Sequence, residues 1–235
     1  MSIYTIGDLH LSFSQDKPMD IFGKNWENHE LKIKEDWLKK VKANDTVILP
    51  GDFSWAMHLE DTYLDFKYLN ELPGKKILLK GNHDYWWTTV TSMKKYLEEN
   101  DFCTIDFLYN NSFEIENKII VGTRGWSFQE SENSKKMINR ESQRLELSIN
   151  SAIEKFGMEK EIIAFMHYPP IVKTVLLENN HLEFYKIFKK YNIRRCYYGH
   201  LHGKSHLDAV TGEVGEIEFN LVSADYLDFK LVKIS

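Results

Sequence analysis

Lys76-Ile77-Leu78-Leu79-Lys80-Gly81-Asn82-His83-Asp84 is the stretch from which the rest of this chain is best read. Its apolar run forms a short buried strand, and the glycine ends it. An amide, an imidazole and a carboxylate then arrive together. Open α/β sheets gather their ligands at turns that follow the carboxyl ends of strands. Asn82 offers a neutral oxygen to a cation, His83 a proton or hydrogen bond near neutral pH, and Asp84 a carboxylate that can orient the His83 ring. Taken alone, Gly-Asn-His-Asp is a turn signal. It gains meaning because other strands end the same way.

Upstream, Ile3–Ile6 is closed by Gly7-Asp8-Leu9-His10, and Thr46–Leu49 by Pro50-Gly51-Asp52. Asp8 and His10 are two residues apart, so in an extended stretch they face one side. Residues 11–28 read as a loop over the site. Ile33, Trp37, Leu38 and Val41 predict a helix over 30–42, and Leu59, Tyr63, Phe66, Leu69 and Leu72 a second over 59–72. Pro73-Gly74 breaks that helix, and Thr88-Thr89 cap a third that runs to about Asn100. Strands alternating with helices predict a parallel sheet in an α/β fold, with its strand ends along one edge.

Downstream, Thr104–Tyr109 and Ser112–Ile115 read as a hairpin around Asn110-Asn111. Lys118–Thr123 ends in Arg124-Gly125-Trp126, where Arg124 is a candidate substrate ligand because a guanidinium forks onto phosphate oxygens. A long helix is predicted over 132–156, with Gly157 after it. Ile162–Met166 leads into His167-Tyr168-Pro169-Pro170. After a helix over 182–191, Arg195–Tyr198 leads into Gly199-His200-Leu201-His202-Gly203. Segments 206–210, 215–222 and 227–234 read as an antiparallel meander. Trp55, Tyr85, Trp86, Trp87 and Trp126 follow strand ends, so at least one is expected to line the site; Trp86 is the candidate for substrate contact.

At 235 residues, with no repeat and no linker composition, the chain is expected to form one domain over 1–235. A formal charge of -5 argues against a general grip on nucleic acid, which wants a basic surface. No apolar run approaches the ~20 residues that span a bilayer. The two cysteines, Cys103 and Cys196, fit no metal-ligand spacing and read as small buried hydrophobes in a reducing compartment. Met1–Asp8 reads as a strand rather than a leader, and a cytoplasmic location is expected. His29, His58, His181 and His206 match no motif and read as surface or loop residues, with His58 a pocket candidate.

The strand ends together supply Asp8, His10, Asp52, Asn82, His167, His200 and His202. Oxygens and imidazoles without a cysteine suit Mn²⁺, Fe, Zn²⁺ or Mg²⁺. Seven ligands exceed what one ion needs and point to two divalent ions with open positions.

Gly7-Asp8-Leu9-His10, Gly51-Asp52, Gly81-Asn82-His83-Asp84, His167 and Gly199-His200-Leu201-His202, in that order, resemble the motifs of the calcineurin-like metallophosphoesterases. The resemblance implies a four-layer α-β-β-α sandwich: two mixed sheets face to face with helices outside. It implies that Asp8, His10 and His202 hold one ion, Asn82, His167 and His200 the other, with Asp52 bridging. His83 would protonate the leaving group or steady the transition state, oriented by Asp84. Tyr168 departs from the pattern, since many relatives carry a second histidine there, and it is given no role.

Two ions roughly 3.5–4 Å apart, most readily Mn²⁺, would clamp a phosphate, and a hydroxide shared between them would attack it. His83 is the nearest titratable group left to protonate the leaving oxygen. The expected substrate is a small phosphomonoester, nucleotide or cyclic diester. A nuclease of the same chemistry is disfavoured by the mild negative charge and the absence of a basic tract, though a groove of basic residues would revive it; a non-catalytic scaffold is disfavoured by the complete ligand set.

Overall fold

The computed structural model describes residues 1–128, 131–173 and 182–235. Its strands assemble into two mixed sheets. The first contains β1 (Ile3–Thr5), β2 (Thr46–Leu49), β3 (Lys75–Leu78), β4 (Ile105–Phe107) and β11 (Val232–Lys233), in the order β11-β1-β2-β3-β4. Strands β1 to β4 are parallel, with Tyr4 opposite Val47 and Val47 opposite Lys76; β11 joins β1 antiparallel. The second contains β5 (Phe113–Ile115), β6 (Lys118–Thr123), β7 (Glu161–Met166), β8 (Arg195–Tyr198), β9 (Gly212–Val214) and β10 (Ile217–Leu221), in the order β5-β6-β7-β8-β10-β9. Here β6, β7, β8 and β10 are parallel, and β5 and β9 are antiparallel edges.

Alternation along each strand builds the layers. Ile3, Ile48 and Ile77 face inward and meet Ile120, Ile163, Phe165 and Tyr197 of the other sheet. Tyr4, Val47 and Leu49 face outward onto α1 (His29–Lys40), α2 (Tyr63–Glu71) and α3 (Val90–Glu99), packing against Ile33, Trp37, Phe66 and Met93. On the far side, Ile119, Val121, Ala164 and Cys196 meet α4 (Glu132–Phe156) and α5 (Glu183–Lys190) through Leu145, Ile149, Phe184 and Phe188. The fold is the four-layer sandwich expected above. Ser131 caps α4 by accepting the Ser134 N–H at 3.0 Å, and Thr89 caps α3 by accepting the Ser92 N–H at 3.2 Å. Among the described residues, no helix is long and apolar enough to cross a membrane.

Several local expectations fail for physical reasons. Residues 104–115 form no hairpin: β4 pairs with β3 in one sheet and β5 with β6 in the other. The turn chemistry is real, since Asn111 accepts the Tyr109 N–H and donates to the Phe107 carbonyl, but it carries the chain between sheets. The C-terminal meander is also absent. Residues 203–208 form a 3-10 helix, β10 lies parallel to β8, and β11 crosses to the first sheet. Cys196 is buried whereas Cys103 is exposed. Tyr63, expected on the buried face of its helix, is 43% exposed because residues 59–62 form a 3-10 turn that shifts the helical phase. His181 lies outside the described residues.

Candidate metal centre

All parallel strands deliver their carboxyl ends to one edge of the sandwich, where the backbone departs from regular geometry. Asp8 (φ 58°), His10 (φ 46°), Asp52 (φ 50°) and His200 (φ 74°) are left-handed. Asp8 and His10 therefore do not converge by extended alternation; a turn brings them together. Such conformations cost on the order of 1–3 kcal/mol each and persist only where surrounding bonds enforce them. Those bonds are present: Asp8 N–H donates to the Gly51 carbonyl at 3.0 Å, and His10 N–H to the Asp52 carbonyl at 2.9 Å. Two motif glycines are needed for room. A Cβ at Gly81 would collide with Asp52 Oδ1, and one at Gly199 with Asp8 Oδ2.

Potential ligand atoms of Asp8, His10 and His202 lie within 4.8 Å of one another, as do those of Asp8, Asp52 and His167. Asp52 lies between the groups, with Oδ2 3.7 Å from His10 Nε2 and Oδ1 3.6 Å from His167 Nε2. Asp8 Oδ1 lies 3.5 Å from His202 Nε2 and also 3.8 Å from His167 Nδ1. His167 Nδ1 faces the Pro50 carbonyl at 3.1 Å, which can only accept, so Nδ1 carries the proton. Its Nε2 lone pair is then 2.7 Å from Asn82 Oδ1. Two acceptors at that distance repel unless a cation joins them. His200 sits beside His167, ring centroids 5.1 Å apart, and its main-chain N–H holds Asp8 Oδ1 at 3.0 Å.

The electrostatics fit the same reading. Burial, then the Asp84 and Asp8 charges, raise the Asp52 carboxyl well above the carboxylate range. Burial keeps His10 and His167 neutral, and burial with the neighbouring His167 lowers His200 to about 3. Burial also opposes charge on His202, but Asp225 and Asp8 outweigh it and raise this imidazole to about 10. Buried carboxylates beside His10, His167 and His200, three imidazoles held neutral, favour a bound cation. The donor set therefore fits divalent ions.

Asp84 does not orient His83. Its buried carboxylate accepts main-chain N–H groups from Asp52 (3.0 Å), Phe53 (2.9 Å) and Gly81 (2.7 Å), plus Trp86 Nε1–H at 3.1 Å. It stitches the β2 and β3 turns together, so its work is positional. Trp86, the expected substrate contact, is 2% exposed, and its indole N–H is turned to Asp84. Despite these donors, burial raises the Asp84 carboxyl to about 6. Asp84→Asn turns an amide N–H toward main-chain N–H groups. We expect it to destabilise the fold by about 3 kcal/mol in urea unfolding. A loss below about 1 kcal/mol would contradict this positional role.

His83 stands beside the groups. Its main-chain N–H donates to Asp52 Oδ1 at 2.8 Å, while its half-buried ring packs 4.4 Å from Trp55. Burial, then Lys17, lowers its imidazole. Lys17 itself sits 3.2 Å over the Trp55 ring. His10, Trp26, Trp55, His83 and His202 share the wall of a cavity of about 340 Å³. Of the other aromatics, Tyr85 is 55% exposed, Trp87 packs in the core, and Trp126 lies under Arg124, 4.6 Å from its guanidinium.

Three contributors escaped sequence reading. Asp225 accepts the His202 Nδ1–H at 2.8 Å and the Gly203 N–H at 3.0 Å. Its signal was available, since it follows β10 just as the other site residues follow their strands. His29 is buried, spanning the Leu9 carbonyl (3.0 Å) and the Trp26 carbonyl (3.2 Å), rather than lying on the surface. It fixes Trp26 against the His10 turn. Tyr168 packs 4.2 Å from the His200 ring. His58 is exposed and lines no part of the site.

A family model described as calcineurin-like phosphoesterase matches residues 1–204. No curated protein matches the chain. Among solved structures, a protein of unknown function from Aquifex aeolicus is similar at 21% identity and TM-score 0.52, over 99% of this chain and 95% of that one. The phosphopantetheinyl hydrolase of Mycobacterium tuberculosis is similar at 15% identity and TM-score 0.53, over 94% and 88%. A Thermus thermophilus protein is similar at 13% identity and TM-score 0.59, over 98% and 96%. At these identities the likeness speaks for the fold.

Proposed function

The chain belongs to the calcineurin-like phosphoesterase family of metal-dependent phosphoester hydrolases, and from that premise we propose that it cleaves a small phosphomonoester, nucleotide or cyclic diester. Asp8, His10 and His202 would hold one divalent ion and Asn82, His167 and His200 a second. The observation that carries this reading is Asp52, which turns one oxygen to His10 and the other to His167. Asp8, with Oδ1 3.5 Å from His202 Nε2, belongs with the first ion.

Bound divalent ions supply Lewis acidity, an activated water and charge neutralisation at phosphate oxygens, with Mn²⁺ the foremost candidate. The protein supplies the rest. Asp225 fixes the His202 ring so that Nε2 faces inward. Trp55 and Trp26 wall the cavity where the organic part of the substrate lies. His83, next to Asp52 without being placed as a ligand, hands a proton to the leaving oxygen.

The test is a panel of mono-, di- and cyclic phosphates offered to Mn²⁺-reconstituted protein, with metal analysis alongside. Turnover of at least one small class, at two ions per chain, is expected. Cleavage confined to nucleic-acid strands would replace this reading with a nuclease. Saturation at a single ion would overturn the two-ion assignment.

A further inference from the structure

A second cavity, of about 280 Å³, is walled by Lys80, Arg124, Arg140, Glu141 and Arg144. It adjoins the metal centre on the Asn82–His167 side. Lys80 is two residues before Asn82, which at 3.8 Å per Cα step keeps their backbones within about 7 Å. The Arg124 carbonyl accepts the N–H of Tyr168, the residue after His167, at 2.8 Å. The cavity lined by His10, Trp55 and His202 is separate and apolar in part.

Among the described residues four cations face one carboxylate here, and that carboxylate is already satisfied. Buried Glu141 accepts Thr123 Oγ1–H at 2.7 Å, Arg144 Nη1–H at 3.1 Å and Arg140 Nη2–H at 3.4 Å. Among the described residues, Lys80 and Arg124 make no ion pair, although both are half-buried. The buried Arg124 Nε has no hydrogen-bond partner among them. The guanidinium lies over the Trp126 ring, 4.6 Å from its centroid. Holding cations that have no partner among the described residues in a partly desolvated cavity costs stability, and a multivalent anion repays it.

We propose that this cavity is a second anion subsite that receives a phosphate of the substrate other than the one hydrolysed, so that the substrate is a small molecule with two phosphoryl groups. This rests on the hydrolase reading for the role of the metal centre, but anion binding at the cavity is independent of turnover. The two sites adjoin, with the Lys80 and Asn82 backbones within about 7 Å, so both phosphoryl groups must sit on one compact molecule. A nucleoside carrying phosphates on opposite ends of its sugar is of that class.

The experiment is calorimetric titration of the Mn²⁺-loaded protein with a nucleoside 3′,5′-bisphosphate and with the corresponding 5′-monophosphate. The bisphosphate is expected to bind at least ten-fold more tightly. Lys80→Gln and Arg144→Gln should each bring that ratio down by several-fold, and the double variant should bring it close to one. Arg144 also holds Glu141, so Arg144→Gln can lose folded protein; Lys80 makes no described bond, and Lys80→Gln keeps the test intact. No preference in the wild type, or a preference that survives both substitutions, overturns the proposal. Cavity-dependent binding without turnover of any phosphate would leave this subsite standing and remove the hydrolase reading instead.

Discussion

Asp52→Asn is expected to cut turnover by about 10³-fold or more and to lower metal content from two ions to at most one. The substitution keeps Oδ1, which accepts the His83 N–H at 2.8 Å, but replaces the oxygen aimed at His10 with an amide nitrogen that cannot ligate. Losing one of two clamping charges removes several kcal/mol of transition-state stabilisation, and each 1.36 kcal/mol is ten-fold in rate. The same substitution should act oppositely on the metal-stripped fold. Burial, then Asp84 and Asp8, raise the Asp52 carboxyl, so above its ordinary range its charge costs the folded state stability. Asparagine removes that cost. After chelation, the variant should therefore melt at a higher temperature than the wild type. Retention of both ions by Asp52→Asn would remove Asp52 from the bridge.

What the sequence revealed follows from one geometric fact. In parallel strands the carboxyl ends share an edge, so Asp8, Asp52, Asn82, His167, His200 and His202 could be placed together without knowing the sheet order. The split into two sheets came from the family resemblance, since periodicity does not say which sheet a strand joins. That is why residues 104–115 read as a hairpin while β4 and β5 lie in different sheets. The same limit made β10, parallel to β8, look like part of a meander. Asp84 was misread for a different reason. It adjoins His83 in sequence, but a buried carboxylate turns to the N–H groups within reach, and those belong to Asp52, Phe53 and Gly81. His29 fails as a surface residue for the complementary reason: two carbonyls await its ring nitrogens.

His83→Ala is expected to retain metal and lose activity according to the leaving group. The bond that ties this residue to the centre is its main-chain N–H to Asp52 Oδ1, which alanine preserves. The side chain contributes no placed ligand; its Nδ1 has no partner among the described residues, and its ring leans on Trp55 and lies 5.8 Å from that of His10. Removing the ring opens space beside Trp55 without disturbing the carboxylates. General-acid catalysis contributes about 10²–10⁴ in rate. An alkoxide leaves poorly without a proton, whereas a nitrophenolate hardly needs one. Turnover of alkyl phosphates should therefore fall by about 10²–10⁴, and that of nitrophenyl phosphate far less. An equal loss on both esters would make His83 a stabiliser of developing phosphate charge rather than a proton donor. Loss of metal in step with activity would make the imidazole a ligand and end its assignment as the acid.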